Sequence, residues 1–285
     1  MNQSCVTPQM TDAQAAQLKG KMLNSSHVKL VIGGESTTVV TPDGQVLVVL
    51  IKDALPSTLC AMAKPFFLQA ATQNVIGSFR GTASGTKLVH PIKKDGTVSK
   101  VPKVPDEPRL RDSKYGLLGF MDGGTNNLNP CRTTAYTRDH WEQFSTTVMP
   151  YVQAVDRVFH TYLPERWAAQ NSVALTTPDY TITGTVFSTI TANLNFATAT
   201  HKDIGDLAEG FGVMTCFRSG DYSDGSLVFL KYGLAVNVGT GDVLLADVHQ
   251  WHGNLPILGE KGAYQRLSCV MYYRSRLPLC PRAER

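Results

Sequence analysis

The chain has 285 residues, of which 42% are hydrophobic and 18% charged, and this composition excludes a disordered chain while permitting one large hydrophobic core. No segment reaches the roughly 18 consecutive apolar residues that a bilayer span needs, and residues 1–9 contain no basic start before an apolar run, so we expect neither a span nor a secretory leader. The net charge of +4 is compatible with a polyanionic partner.

The six cysteines are scattered along the chain without a C-x-x-C pair. This spacing argues against a structural zinc site and against a disulfide scaffold. We therefore expect reduced thiols and an intracellular location. The six residues are Cys5, Cys60, Cys131, Cys216, Cys269 and Cys280.

The first part of the chain predicts a mixture of short strands and helices. Thr11 has the position and chemistry to cap a short helix. Strands separated by turn residues are predicted at residues 28–32, 37–40 and 45–51. A longer helix is predicted over residues 57–72. We expect an N-terminal α/β elaboration over residues 1–75, followed by the main domain over residues 76–285.

A basic segment follows. Residues 81–108 contain several Gly, Pro and Lys and little periodicity, which predicts a long loop. Residues 80–112 include eight basic and four acidic residues. A solvated loop and a phosphate-contacting surface both fit this charge. The basic residues are Arg80, Lys87, Lys93, Lys94, Lys100, Lys103, Arg109 and Arg111.

The C-terminal half predicts a helix and then a β-rich region. Apolar residues three and four apart over residues 138–167 indicate an amphipathic helix, interrupted near Pro150 and packed against a sheet. The short strands that follow are separated by turn residues, which is typical of an antiparallel sandwich or barrel. They are predicted at residues 181–195, 212–217, 227–230, 234–238, 243–246 and 267–273.

Two histidines and one aspartate form a candidate metal triad. His201 and Asp203 are two residues apart just after a predicted strand, so their side chains share one side if the chain stays extended. With His252 they complete a facial triad that leaves three metal positions open, as oxygen-activating non-haem Fe(II) requires. His249 is the competing ligand. We prefer His252 because residues 251–256 resemble the distal ligand segment of such oxygenases.

Arg266 lies at the head of the strand that follows His252. There its guanidinium can bind a carboxylate through two hydrogen bonds. A dicarboxylate co-substrate needs such a contact at one end and open metal positions at the other. The metal triad, the strand spacing and the arginine together therefore indicate a 2-oxoglutarate-dependent oxygenase.

These residues and several further segments resemble the TET/JBP family of Fe(II)- and 2-oxoglutarate-dependent oxygenases, which hydroxylate the methyl group of 5-methylpyrimidines in DNA. The resemblance covers residues 76–276. It implies an α+β fold with a double-stranded β-helix core of the jelly-roll, cupin-like type and flanking helices. The segments that carry it are residues 80–85, 131–137, 200–206, 210–214, 241–245 and 251–254.

The resemblance also implies roles for single residues. Fe(II) is expected at His201, Asp203 and His252, and 2-oxoglutarate at Arg266. Asp206 falls where the family has a carboxylate that contacts the flipped base, although a turn-capping aspartate is the alternative.

Two arginines are further candidates for substrate binding. Arg274 follows Arg266 on the same predicted strand face and either reaches the substrate pocket or is a surface arginine. Arg80 opens the first resembling segment. Phe79, just before it, departs from the family, which has an asparagine there; phenylalanine can stack on a base but cannot hydrogen-bond to it.

The predicted activity is oxidation of 5-methylcytosine in DNA. Asp206 favours this base, because an ionised carboxylate accepts a hydrogen bond from the cytosine N4 amine and repels the thymine O4 atom. Thymine hydroxylation in DNA is the alternative within the family. A protein side chain or a small metabolite as substrate, and a binding module without activity, are the alternatives outside it.

Flipping a base out of a duplex costs unstacking energy, which phosphate contacts from the basic segment would help to offset. The expected partner is therefore DNA, with no membrane and no obligate protein partner. The expected location is nuclear if the source is a eukaryote.

Overall fold

Two β-sheets form the framework of the protein. The computed structural model describes residues 1–73, 80–87, 89–100, 103, 113–123 and 130–282. The larger sheet has nine strands among these residues. In spatial order they are β1 (Asn2–Cys5), β3 (Thr37–Val40), β4 (Val46–Ile51), β12 (Val243–Ala246), β8 (Gly212–Gly220), β15 (Tyr264–Tyr272), β7 (Thr189–Leu194), β5 (Lys114–Met121) and β6 (Arg132–Thr133).

The smaller sheet packs against the inner face of the larger one. Phe229 and Val236 from the smaller sheet share a buried cluster with Val48 and Leu244 from the larger sheet. This arrangement, with helices outside, confirms the predicted α+β double-stranded β-helix. The smaller sheet contains, in order, β13 (His252–Asn254), β10 (Leu227–Phe229), β11 (Leu234–Val236) and β2 (Leu30–Ile32), and a separate pair joins β14 (Ile257–Leu258) to β9 (Ser223–Asp224).

Helices cover the outer face of the larger sheet. Phe67 and Val155, from two of these helices, lie in one buried cluster with Ile190 of β7 and Met271 of β15. This cluster is large because every second residue of the central strands is apolar and faces the helices. The helices are α1 (Asp12–Ala16), α2 (Ser57–Thr72), α3 (Ala135–Asp139), α4 (Trp141–Gln143), α5 (Met149–Tyr162) and α6 (Pro164–Ala174).

The helix predictions hold with one refinement. Thr11 caps α1 in a reciprocal capping box with Gln14, and α2 has the predicted bounds. The predicted helix over residues 138–167 is divided. A π-helical turn, Phe144–Val148, precedes Pro150, and a second break falls at Leu163. The sequence pattern missed this second break.

The β-strand predictions differ from the structure in several places. β5 (Lys114–Met121) was not predicted, yet it pairs with β7 along six residues. Of residues 181–195, only Thr189–Leu194 are a strand. Within the predicted loop 81–108, the described residues include a short antiparallel arm, in which Ile92 pairs with Val98. Local sequence does not specify such pairings, because the partner strand supplies half of the hydrogen bonds.

The expectation of reduced thiols is wrong for one pair of cysteines. Cys131 and Cys280 form a disulfide that ties the segment before β6 to the C-terminal end of the described chain. The other four cysteines are free, and three of these are buried. The two paired residues are 149 positions apart, so their sequence context gave no sign of the contact.

The N-terminal strands belong to both sheets. β3 and β4 extend the larger sheet beside β12, and β2 pairs with β11 in the smaller sheet. The described N-terminal residues, 1–73, therefore share a core with the rest of the chain, and the boundary between residues 75 and 76 stays a prediction. Among the described residues, no helix combines the length and the apolar character needed to cross a bilayer.

Candidate metal centre and substrate cavity

Backbone pairing brings the two triad histidines together. His201 and His252 form an antiparallel bridge, in which each backbone N–H donates to the other residue's carbonyl at 2.8 and 2.9 Å. The Asp203 N–H donates to the carbonyl of Val248. Gly253 permits the close approach, because a Cβ there would lie 3.0 Å from the carbonyl oxygen of Thr198. The bridge fixes the spacing of the three side chains.

The histidine rings present their Nε2 atoms to the aspartate. The Nδ1 atom of His201 lies 2.7 Å from the carbonyl oxygen of Ala199, and that of His252 lies 2.9 Å from the carbonyl oxygen of Gln250. Because a carbonyl only accepts, each Nδ1 carries the proton and each Nε2 keeps a lone pair. The Nε2 atoms lie 3.4 and 3.5 Å from the Asp203 carboxylate oxygens.

This donor set fits a divalent metal ion. One ligand atom from each of the three residues lies within 4.8 Å of the others, so a single cation among them could be bound by all three. Burial acts to lower the pKa of His252, but the Asp203 carboxylate outweighs it and raises that pKa. Two imidazoles and one carboxylate are the donors that non-haem Fe(II) favours.

His249 lies apart from this group. Its Nε2 atom is 3.1 Å from the carbonyl oxygen of Leu207, and its backbone N–H donates to Asp247. The cluster that could hold a metal among the described residues consists of His201, Asp203 and His252. The geometry therefore agrees with the preference for His252.

A cavity of about 500 Å³ opens beside the triad. This volume is typical of sites for small ligands. Its wall includes Asp206, Arg80 and Arg274 together with the three triad residues. Ile204, between the metal candidates and Asp206, is 86% exposed and lies at the rim of the cavity.

Arg266 is a buried cation close to this cavity. Arg266 lies two residues before Ser268, so both side chains are on the same face of β15. Ser268 lines the cavity, whereas Arg266 does not. The residue exposure of Arg266 is 3%, and among the described residues no carboxylate forms an ion pair with its guanidinium. A buried guanidinium without a paired carboxylate is costly, so a carboxylate ligand would stabilise it.

Asp206 and Arg274 are bridged through their backbones at the cavity wall. Burial and the Asp203 carboxylate raise the pKa of Asp206 well above its usual range, while Arg274 and Arg80 act against them. Arg274 is half-buried and binds both carboxylate oxygens of Asp122 at 3.2 Å. It lies two residues past the end of β15, and this ion pair, which the sequence pattern missed, orients it.

Arg80 is fixed by one hydrogen bond and two aromatic rings. Its Nη1 atom donates to Oδ1 of Asn193 at 2.9 Å. Its guanidinium carbon lies 5.5 Å from the ring centre of Tyr115 and 6.0 Å from that of Phe196. Phe79, the departure from the family, lies outside the described residues.

Sequence reasoning missed a polar wall of the cavity. Thr191 and Asn193 on β7 and Tyr272 on β15 all line it, and Tyr272 Oη lies 3.2 Å from Thr191 Oγ1. The available signal was period-two alternation, because Ile190, Ala192 and Leu194 pack outward against the helices. Polar residues at alternate positions of a buried strand indicate a lined cavity.

The basic segment is described in part. Its lysines are exposed on and beside the antiparallel arm, whose turn includes a backbone hydrogen bond from Lys93 to Thr97. Arg109 and Arg111 lie outside the described residues. The described lysines, all exposed, are Lys87, Lys93, Lys94, Lys100 and Lys103.

Comparisons with known proteins agree with the fold. The family model described as the oxygenase domain of the 2OGFeDO superfamily, Tet_JBP, matches residues 116–275, more than half of the chain. The solved structure of NgTET1 in complex with 5mC DNA has a TM-score of 0.60 and 16% identity, and covers 96% of this chain and 95% of that one. At this identity the likeness concerns the fold alone.

Curated relatives are similar over part of their own length. Thymine dioxygenase JBP1 of Trypanosoma brucei brucei is 37% identical over 166 residues, which are 57% of this chain and 19% of the relative. Thymine dioxygenase JBP1 of Leishmania tarentolae is 32% identical over 250 residues, which are 85% of this chain and 26% of the relative. The chain thus spans about a fifth to a quarter of these relatives.

Proposed function

Because the chain belongs to the TET/JBP family of oxygenase domains in the 2OGFeDO superfamily, we propose that it oxidises the methyl group of a 5-methylpyrimidine base in DNA. The superfamily uses Fe(II) and 2-oxoglutarate. The observation that carries the proposal is one cavity that combines the triad with Asp206, Arg80 and Arg274, side chains able to bind the polar edge of a base.

The triad would bind the metal, and Arg266 would bind the co-substrate. His201 and His252 through Nε2, and Asp203 through its carboxylate, would hold Fe(II), which with 2-oxoglutarate and O₂ supplies an oxidant for the methyl C–H bond. Arg266 would bind the distal carboxylate of 2-oxoglutarate through two charge-assisted hydrogen bonds. The backbone bridge between the histidines keeps the ligand atoms in place before the metal binds.

The cavity would receive a base only after it leaves the duplex. Enzymes that modify a base within a duplex flip it into a pocket and read it through hydrogen bonds and stacking. Asp206, Arg80 and Arg274 would make these polar contacts. The exposed lysines of the antiparallel arm would bind flanking phosphates and help to offset the cost of unstacking.

Two bases are candidates, and thymine comes first. Curated relatives that are 30–38% identical carry the name thymine dioxygenase. Asp206 in its ionised form would favour 5-methylcytosine, because a carboxylate accepts from the N4 amine, but its raised pKa weakens this argument. The choice of 5-methylcytosine made from the sequence therefore stays a prediction, and location in a nucleus stays one as well.

The test uses duplexes that are identical except for one target base, thymine or 5-methylcytosine, incubated with Fe(II) and 2-oxoglutarate. We expect mass spectrometry of the nucleosides to detect a hydroxymethyl product that requires both additions. The Asp203→Ala variant is the negative control. If 2-oxoglutarate is consumed with a peptide or a metabolite but never with DNA, the substrate belongs to another class and the proposal fails.

A further inference from the structure

We infer that Asn193 is a specificity residue that donates a hydrogen bond from its amide to the O4 carbonyl of a flipped pyrimidine and thereby favours thymine over 5-methylcytosine. This inference rests on the proposed function, since it concerns the same cavity. It assigns a role to a residue outside the metal triad and outside the three polar residues considered above.

Asn193 is buried in the sheet and faces the cavity. It lies on β7 between Ser268 of β15 and Tyr115 of β5, its two register partners. Its exposure is 4%, and it lines the cavity with Thr191 and Ser268. A polar side chain in this position needs hydrogen-bond partners for both ends of its amide.

The contact with Arg80 fixes which end of the amide is free. A guanidinium has five N–H donors and no acceptor, so the atom of Asn193 that meets it must be the oxygen, Oδ1. The amide NH₂ group is then the remaining end, and no described residue accepts from it. Since Arg80 is itself held between Tyr115 and Phe196, this orientation is fixed before a substrate arrives.

The charged residues near Asn193 also determine which hydrogen bonds a base can form in the cavity. Arg80 and Arg274 offer only donors, and both lie close enough to Asp206 to affect its carboxylate electrostatically. The cavity wall thus combines these donors with Asp206, whose carboxyl keeps an acceptor oxygen even when its raised pKa leaves it protonated. Thymine has carbonyl acceptors at O4 and O2 on either side of the N3–H donor, whereas 5-methylcytosine has a donor at N4 and an acceptor at N3.

Thymine matches this wall at two positions. The amide of Asn193 can donate to O4 while Asp206 accepts from N3–H. With 5-methylcytosine, the Asn193 amide would face the N4 amine, donor against donor. A site that hydrogen-bonds one substrate group rejects an analogue that lacks it more strongly than an apolar pocket does.

The test is the substitution Asn193→Asp, which keeps the shape and the contact with Arg80 but replaces the donor by an acceptor. The assay measures kcat/KM on the two matched duplexes. We expect the unmutated enzyme to prefer thymine, and the ratio of thymine to 5-methylcytosine rates to fall roughly 10- to 100-fold in the variant. A second variant, Asn193→Ser, keeps a small hydroxyl and should lie between the two.

Asn237→Asp is the matched control. Asn237 accepts from Nη1 of Arg218 at 2.6 Å and does not line the cavity, so the same chemical change occurs at an equivalent arginine contact. We expect its base ratio to equal that of the unmutated enzyme. An unchanged ratio in both Asn193 variants, or a preference of the unmutated enzyme for 5-methylcytosine, overturns the role of Asn193 while leaving the proposed function intact. Oxidation of neither base overturns both.

Discussion

Replacing Arg266 by alanine should raise the KM for 2-oxoglutarate by at least 100-fold. Two charge-assisted hydrogen bonds to a carboxylate contribute roughly 1.5–3 kcal/mol each, or about 3–6 kcal/mol together. Even the lower end corresponds to more than a hundredfold, since 1.36 kcal/mol is a factor of ten. The assay follows 2-oxoglutarate decarboxylation at increasing co-substrate concentration, and Arg266→Lys should recover only part of the loss.

The stability of the protein gives a second, independent readout of Arg266. Because the guanidinium is buried without a paired carboxylate among the described residues, Arg266→Met should raise the Tm of the protein without 2-oxoglutarate. The same variant should lose the rise in Tm that 2-oxoglutarate gives the unmutated protein.

Arg218→Ala is the control for Arg266→Ala. Arg218 lies on β8 directly opposite Arg266 on β15, but its guanidinium donates to Asn237. If Arg218→Ala raises the KM and Arg266→Ala does not, Arg218 is the anchor and the reasoning is wrong.

Three further results are expected. His252→Ala should abolish 2-oxoglutarate turnover, whereas His249→Ala should reduce it only slightly, since His249 donates to a backbone carbonyl. The opposite result would show that His249, and not His252, is the metal ligand. Cys131→Ser should lower the free energy of unfolding in urea by about 2–5 kcal/mol, and a reductant should have that effect on the unmutated protein but none on the variant. The double change Lys93→Ala and Lys94→Ala should reduce the magnitude of the slope of log affinity for duplex DNA against log salt concentration by about 1.8. An unchanged slope would show that these lysines do not contact DNA phosphates.

The sequence by itself determined the parts of the site that are close together in the chain. His201 and Asp203 lie two residues apart in an extended segment, so their shared side follows from strand geometry. The helix predicted over residues 57–72 also matches α2 in its bounds. Arg266 could be placed on a strand face because the run after it has a β-rich composition.

Only the tertiary structure decided which residues face each other across the cavity. Arg80 meets Asn193 across 113 residues, Asp122 binds Arg274 across 152, and Cys131 joins Cys280 across 149. Periodicity assigns a side chain to a face of its strand, but it does not say which distant strand that face will meet. Those contacts depend on strand order in the large sheet, where β7 lies between β15 and β5, and this order is fixed by packing of the whole core rather than by any local segment.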